Sequence, residues 1–245
     1  MIKIGCLSDI HGYVYDLQTK CYPEIELLII AGDLCPTDEV MYQEEWLEYN
    51  YQNIFMNKKI FPDLQEIIIV PGNHDYWIER HYDDFLTLRK IFGYSTKVLV
   101  DEGYEYISGI TGESMKIYGN PRTSLWLHAF PHKPGNIDIL EIPGGIDILV
   151  THEAPRIYQL ECIKQSQGWY GKDEPGNLAL SQRVLEINPR YHVFGHIHYP
   201  ERGEVSGIKF MNVSQQTREN YTPKIHIIES VSYTHLRAHE TVLDL

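Results

Sequence analysis

Apolar positions along this chain fall into two patterns. Short unbroken runs, IKIGCL from Ile2 to Leu7, IELLIIA from Ile25 to Ala31, EIIIV from Glu66 to Val70, DILV from Asp147 to Val150 and YHVF from Tyr191 to Phe194, lack the alternation of a half-exposed strand. Such runs suit strands covered on both faces, as in a largely parallel central sheet. Between them, EVMYQEEWLEYNYQNIF after Asp38, ERHYDDFLTLRKIF after Ile78 and NLALSQRVLEI before Asn188-Pro189 place apolar residues at helical spacing. VLV, YEYISGIT and MKIYGN, between Val98 and Asn120, read as short strands of a second sheet, and GIKFMNVS with KIHIIE as a closing strand pair. The repeated β-α-β order predicts an α/β fold.

Glu153 to Gly176 is long for a loop and rich in Gly, Pro and aromatic residues, so a lid or substrate-facing insertion is expected there. With 245 residues and 43% hydrophobic content, one large core in a single domain is the simplest organisation.

Charge narrows the partners. The formal net charge of -13 disfavours general binding to nucleic acid, because the surface repels polyanions at long range. No apolar run approaches the roughly 20 residues needed to span a membrane, and no charged segment followed by an apolar core opens the chain. Cys6, Cys21, Cys35 and Cys162 form no CxxC pair; reduced, mostly buried thiols in a cytoplasmic protein are expected.

The polar residues that follow the strands carry the chemistry. Ser8-Asp9-Ile10-His11, Gly32-Asp33, Gly72-Asn73-His74-Asp75, Thr151-His152-Glu153 and Gly195-His196-Ile197-His198 each close a predicted strand with a residue type that binds metals. Parallel strands bring their carboxyl ends to one edge, so these groups can converge although far apart in sequence. Singly, each block reads as well as a helix cap, a turn or a satisfied histidine. Mixed carboxylate, imidazole and amide groups suit hard or borderline divalent ions rather than thiolate-selected ones.

In order, the five blocks DxH, GD, GNH, isolated His and GHxH resemble those of the calcineurin-like metallophosphoesterase superfamily, from Asp9 to His198. The resemblance implies a two-sheet β-sandwich flanked by helices and two divalent metal ions, manganese, iron or zinc. Carried over block by block, it implies Asp9, His11 and His198 on one metal, Asn73, His152 and His196 on the other, and Asp33 bridging both. It implies hydrolysis of a phosphodiester or phosphomonoester on a small phosphorylated or nucleotide substrate, by attack of a metal-bridging hydroxide. His74 is then the residue for leaving-group protonation or transition-state stabilisation, with Asp75 orienting its imidazole.

GDLCPTD and GNHD depart from the GDxxDRG and GNHE of the superfamily's protein phosphatases, while YGNPRTSLWLHAF, THEAP and GHIH are similar to a small phosphodiesterase-like group that includes the brain metallophosphoesterase-domain proteins. Glu153 departs from that group's THGPP and is expected to make the pocket more acidic. Arg122 is the candidate phosphate contact, since guanidinium pairs bidentately with phosphate, although a surface salt bridge fits it equally. Trp126, Trp169 and Tyr170 are expected in packing rather than on a nucleobase. His81, His128, His132, His192 and His226 match no block; His192 and His226 lie within predicted strands, where a packed or solvent-facing place is expected, and His128 and His132 could approach the pocket but are assigned no role.

The first enzymatic rival is a nuclease, and the rival of another class is a metal-binding scaffold without chemistry. Missing ligands would mark the scaffold, and none is missing. VSYTHLRAHET, Val231 to Thr241, is similar to one reading frame of a transposase adapter used in short-read sequencing libraries. Residues 1–230 are therefore expected to form the metallophosphoesterase domain and 231–245 a non-native tail. Substrate identity and oligomeric state are not legible in any motif.

Overall fold

The computed structural model describes residues 1–37, 40–157, 159–160, 176–215 and 223–229. Trp169, Tyr170, Cys162, most of the expected lid and the adapter-like tail lie outside them. Five strands, β1 (Lys3–Leu7), β2 (Leu27–Ala31), β3 (Glu66–Val70), β4 (Thr96–Val98) and β11 (His226–Glu229), form one sheet in the order β11-β1-β2-β3-β4. Six others, β5 (Glu102–Ile107), β6 (Ser114–Asn120), β7 (Ile148–Thr151), β8 (Tyr191–Phe194), β9 (Glu201–Val205) and β10 (Ile208–Asn212), form a second sheet in the order β5-β6-β7-β8-β10-β9. In each sheet four strands run parallel: β1 to β4 in the first, and β6, β7, β8 and β10 in the second. Antiparallel strands close one edge of the first sheet, β11, and both edges of the second, β5 and β9.

The sheets pack face to face. Ile4, Cys6, Leu27, Ile29, Ile68 and Val70 of the first meet Tyr106, Ile117, Ile148, Val150 and Val193 of the second in one buried core. The alternate residues Leu28, Ile30, Ile67 and Ile69 point to the other face, onto α1 (Val40–Ile54), α2 (Tyr76–His81) and α3 (Phe85–Phe92). Leu149, Phe194 and Phe210 pack outward on α4 (Ile137–Leu140) and α5 (Leu178–Ile187). Burial on both faces explains the unbroken apolar runs, and the four layers are the expected helix-flanked sandwich.

Three local expectations need correction. The single helix expected from Glu79 to Phe92 is two, because the Asp84 carboxylate accepts from the backbone N–H groups of Leu86 and Thr87 and starts α3 afresh. The two closing strands do not pair: β10 lies beside β8 in the second sheet, and β11 pairs with β1 in the first. VLV, expected in the second sheet, contributes only Val98, as the end of β4 (Thr96–Val98) in the first.

Cys6 and Cys35 are buried as expected, whereas Cys21 is exposed. Pro155 and Asn177 bridge, so the long segment leaves and returns at one place. Among the described residues no helix is long and apolar enough to cross a membrane.

Candidate metal centre

β1, β2 and β3 are parallel neighbours, so Asp9, Asp33 and Asn73 leave the first sheet at a common edge; β7 and β8 deliver His152 and His196 from the second. The two edges are joined directly. His152 Nδ1 lies 3.0 Å from the Ala31 carbonyl, and the His196 backbone N–H donates to the Asp9 carboxylate at 3.0 and 3.1 Å. Glycine makes this approach possible: a Cβ on Gly32 would run into the His152 ring, and one on Gly195 into Ser8 Oγ and Asp9 Oδ2. Asp9, His11, Asp33 and His196 have positive φ, at 55°, 43°, 51° and 66°. Non-glycine residues held there cost energy that the surrounding structure must offset, a pattern concentrated at functional sites.

The ligand-type atoms of Asp9, His11 and His198 lie within 4.8 Å of one another, as do those of Asp9, Asp33 and His152. His11 Nε2 and His198 Nε2 are 3.5 Å apart, and His198 Nε2 is 3.3 Å from Asp9 Oδ1. Asp33 Oδ2 spans both groups, 3.7 Å from His11 Nε2 and 3.4 Å from His152 Nε2. Asn73 Oδ1 is 2.9 Å from His152 Nε2, and the His196 ring lies edge-on to His152 at 5.1 Å between centroids. All seven residues that the resemblance implies as ligands are thus gathered, Asn73 and His196 through their contacts with His152 rather than within either group of three.

Electrostatics test whether this set fits metal ions. Asp9 and Asp33 are both buried and face each other's charge. Burial alone would raise the Asp9 pKa, but His198 and His152 outweigh it and bring it to about 2; Asp33 is likewise held well below the carboxylate range, burial being overcome by His152 and then His11. In return, Asp33 lifts His152 to about 10 against its burial, and Asp9 raises His198. Burial instead drives His196 down to about 4. The partners of the two buried carboxylates are therefore imidazoles, whose lone pairs take either a proton or a divalent ion. That donor set, two carboxylates, four imidazoles and an amide oxygen, fits hard or borderline divalent cations.

His74 sits beside this cluster. Its backbone N–H donates to Asp33 Oδ1 at 2.8 Å, and its ring is edge-on to His11 at 5.2 Å. Burial, then the neighbouring histidines His11 and His128, lower its pKa against the pull of Asp33. Its Nδ1 is buried and has no hydrogen-bond partner among the described residues.

Asp75 does not orient that ring. Its carboxylate accepts from the backbone N–H groups of Cys35 and Gly72 at 2.8 Å and of Leu34 at 3.3 Å, which ties the loops after β2 and β3 together. Asp75 is therefore a positioning residue rather than a partner of His74. Gln43 of α1 braces the same turn, with Nε2 donating to the His74 carbonyl at 2.6 Å and Oε1 accepting from the Trp77 N–H at 2.8 Å.

Arg122 takes the salt-bridge alternative: Nε donates to Asp101 Oδ2 at 2.7 Å and Nη1 to the Pro131 carbonyl at 3.0 Å. Glu153 does not add free charge to the pocket. It is buried, with Oε2 2.7 Å from His132 Nε2 and also accepting from Asn177, while Oε1 accepts from the Ser124 N–H. Trp126 is 77% exposed, contrary to the packing expected of it.

His128 and His132 were assigned no role from the sequence because they belong to no motif block. The only signal was their place in the segment after Asn120, which resembles the phosphodiesterase-like group. His192 and His226 are buried strand residues, as expected.

Comparison with known proteins supplies the family. The family model described as calcineurin-like phosphoesterase matches residues 2–200. The chain is similar to metallophosphoesterase domain-containing protein 1 of Homo sapiens, 29% identical over 220 residues, which cover 80% of this chain and 60% of that protein. It is also similar to a UPF0046 protein of Caenorhabditis elegans, 24% identical over 230 residues, 89% of this chain and 71% of that one. Among solved structures, phosphopantetheinyl hydrolase from Mycobacterium tuberculosis matches in fold with a TM-score of 0.60 and 16% identity, over 92% of this chain and 95% of that one.

Proposed function

The chain belongs to the calcineurin-like phosphoesterase family, and on that premise we propose that it is a dinuclear metal-dependent hydrolase of small phosphodiesters or phosphomonoesters. One observation carries this reading: Asp9, Asp33, His11, His152 and His198, drawn from two sheets, present ligand-type atoms within 4.8 Å in two overlapping groups. Asp9, His11 and His198 would hold one ion and Asn73, His152 and His196 the other, with Asp33 facing both groups. Manganese, iron and zinc all suit such a set. Bound there, divalent ions supply an acidified water as nucleophile and positive charge for the phosphoryl oxygens.

The chain's own residues set the geometry for that chemistry. Asp33 must remain an anion, and the histidines around it favour that state. Its Oδ1 accepts the His74 N–H, which fixes the backbone that carries the His74 ring. From that position the imidazole is placed to donate a hydrogen bond to a substrate oxygen as charge develops. Asp75 and Gln43 hold the turn rigid, and burial of Asp9 and Asp33 excludes bulk water from the carboxylates.

The net charge of -13 argues against an extended polyanionic substrate and for a small ester. The test is hydrolysis of bis-p-nitrophenyl phosphate and p-nitrophenyl phosphate by the full chain, stripped of metal and reloaded with Mn²⁺. Metal-dependent turnover that falls about 10²–10⁴-fold in His74→Ala is expected. Folded, metal-loaded protein that hydrolyses neither ester would overturn the reading.

A further inference from the structure

The segment between Thr123 and Pro131 is a loop with a pinned neck. Thr123 N–H donates to the Phe130 carbonyl at 3.0 Å, Ala129 N–H to the Asn73 carbonyl at 3.1 Å and Phe130 N–H to Glu79 Oε1 at 2.6 Å. Ala129 and Phe130 are buried in the helix-side core, whereas Trp126 and Leu127 stand 77% and 74% exposed at the tip. His128 lies between these two parts, half-buried, and its backbone N–H returns to the Leu125 carbonyl. The loop thus holds His128 through the carbonyl of Asn73, the residue next to His74.

The side chain is held too. His128 Nδ1 lies 2.9 Å from the Tyr76 hydroxyl, and the two rings stack at 6.4 Å. The Tyr76 pKa is raised, first by burial and then by Asp33, so the phenol keeps its proton and can donate to Nδ1. A neutral imidazole that accepts at Nδ1 carries its proton on Nε2.

The His74 ring makes edge-on contacts with two others, His11 of the cluster at 5.2 Å and His128 at 5.3 Å. An ester whose phosphoryl group sits at the cluster and whose leaving group passes His74 comes within reach of His128.

We propose that His128, oriented by Tyr76, is a substrate-contacting specificity residue whose Nε2–H donates to the leaving-group side of the ester. This rests on the phosphoesterase reading above. It divides the labour between the two histidines: His74 serves the oxygens nearest the cluster, and His128 the departing group. A donor there matters most when the departing oxygen is a poor leaving group, because more charge collects on it in the transition state. Esters of weakly acidic alcohols and phenols gain most.

The experiment compares diphenyl phosphate with bis-p-nitrophenyl phosphate, whose para-nitro groups make the departing oxygen far better able to carry charge. Wild type, His128→Ala, His128→Gln and Tyr76→Phe are assayed as Mn²⁺-loaded full chains, with metal content and thermal melts recorded and inorganic phosphate binding measured by calorimetry. In His128→Ala, kcat for diphenyl phosphate should fall roughly tenfold further than kcat for the activated ester, the size of one lost hydrogen bond. His128→Gln, which retains an N–H donor, should recover part of that difference, and Tyr76→Phe should reproduce part of it. Inorganic phosphate, which has no leaving group, should bind His128→Ala with an unchanged Kd.

Equal losses on the two diesters, or a weakened phosphate Kd together with lost metal, would overturn the proposal and leave His128 a structural residue. Wild-type protein inactive on both diesters would overturn the role of His128 in diester cleavage, and inactivity on p-nitrophenyl phosphate as well would overturn the phosphoesterase reading itself.

Discussion

Replacing His132 by Gln tests the charge network behind the centre. The His132 imidazole lies between two buried carboxylates, with Nδ1 2.6 Å from Asp138 Oδ2 and Nε2 2.7 Å from Glu153 Oε2, and its side chain is 7% exposed. Burial alone would lower its pKa; the hydrogen bonds that its ring donates to Asp138 and Glu153 reverse this and raise it from 6.5 to about 9. A pKa raised on folding gives stability that is fully present below the unfolded value and is lost as pH rises through the folded one.

The interval from 6.5 to about 9 corresponds, at about 1.4 kcal/mol per pH unit, to about 3 kcal/mol. Most of it, on the order of 2–3 kcal/mol, still acts at pH 7, where the unfolded imidazole is already mostly neutral. Between pH 7 and pH 10 this contribution vanishes. For a chain of this length the expected penalty of His132→Gln at pH 7 is about 5–10 °C in Tm, shrinking toward zero at pH 10. Urea titrations at the two pH values, read by circular dichroism, give the same comparison as free energies. A wild-type-minus-variant gap that stays constant from pH 7 to pH 10 would refute the ion-pair account, since a purely steric loss has no reason to titrate.

Two further outcomes follow from the centre itself. Asp33→Asn removes the anion that faces both groups; metal retained after gel filtration, measured by atomic emission, should fall by about half or more, and turnover at least about 100-fold. Gly195→Ala forces a Cβ into Ser8 Oγ and Asp9 Oδ2, so a loss of several kcal/mol, of the order of about 3, is expected in a urea titration, together with loss of metal. A Gly195→Ala variant with wild-type stability and metal content would contradict the close packing of the two sheet edges.

Much of the centre was legible in the sequence because its signals are local. Ile67 to Val70 ends in Gly72-Asn73-His74, and a strand ending in a turn declares itself within eight residues. The same holds at Asp9, Asp33, His152 and His196. What the motif blocks did not declare were the partners. Asp75 looked like a support for the ring beside it, yet its oxygens meet backbone N–H groups of Leu34 and Cys35, some forty residues earlier in the chain. Arg122 looked free for phosphate until the loop before β5 brought Asp101 to it. Glu153 looked like added acidity until His132 and Asn177 closed on it.

Sheet membership was divided in the same way. Apolar runs of five residues fix that β1, β2 and β3 are strands covered on both faces, because a one-residue pattern suffices to say where water is absent. They do not say which strand is the neighbour. That β11 returns to β1 while β10 stays with β8 is decided by backbone pairing across the whole fold.

By itself, then, the sequence determined the covered, parallel strands and the polar blocks at their ends, since each depends on hydrophobic period and residue type, while the two-sheet layers and the seven ligands were implied by the resemblance those blocks carry. Only the tertiary structure decided who pairs with whom: that Asp75 braces loops, that Arg122 and Glu153 are neutralised inside, and that His128 reaches His74. A hydrogen bond or ion pair is set by distances of about 3 Å, and only the folded chain brings residues from separate segments that close.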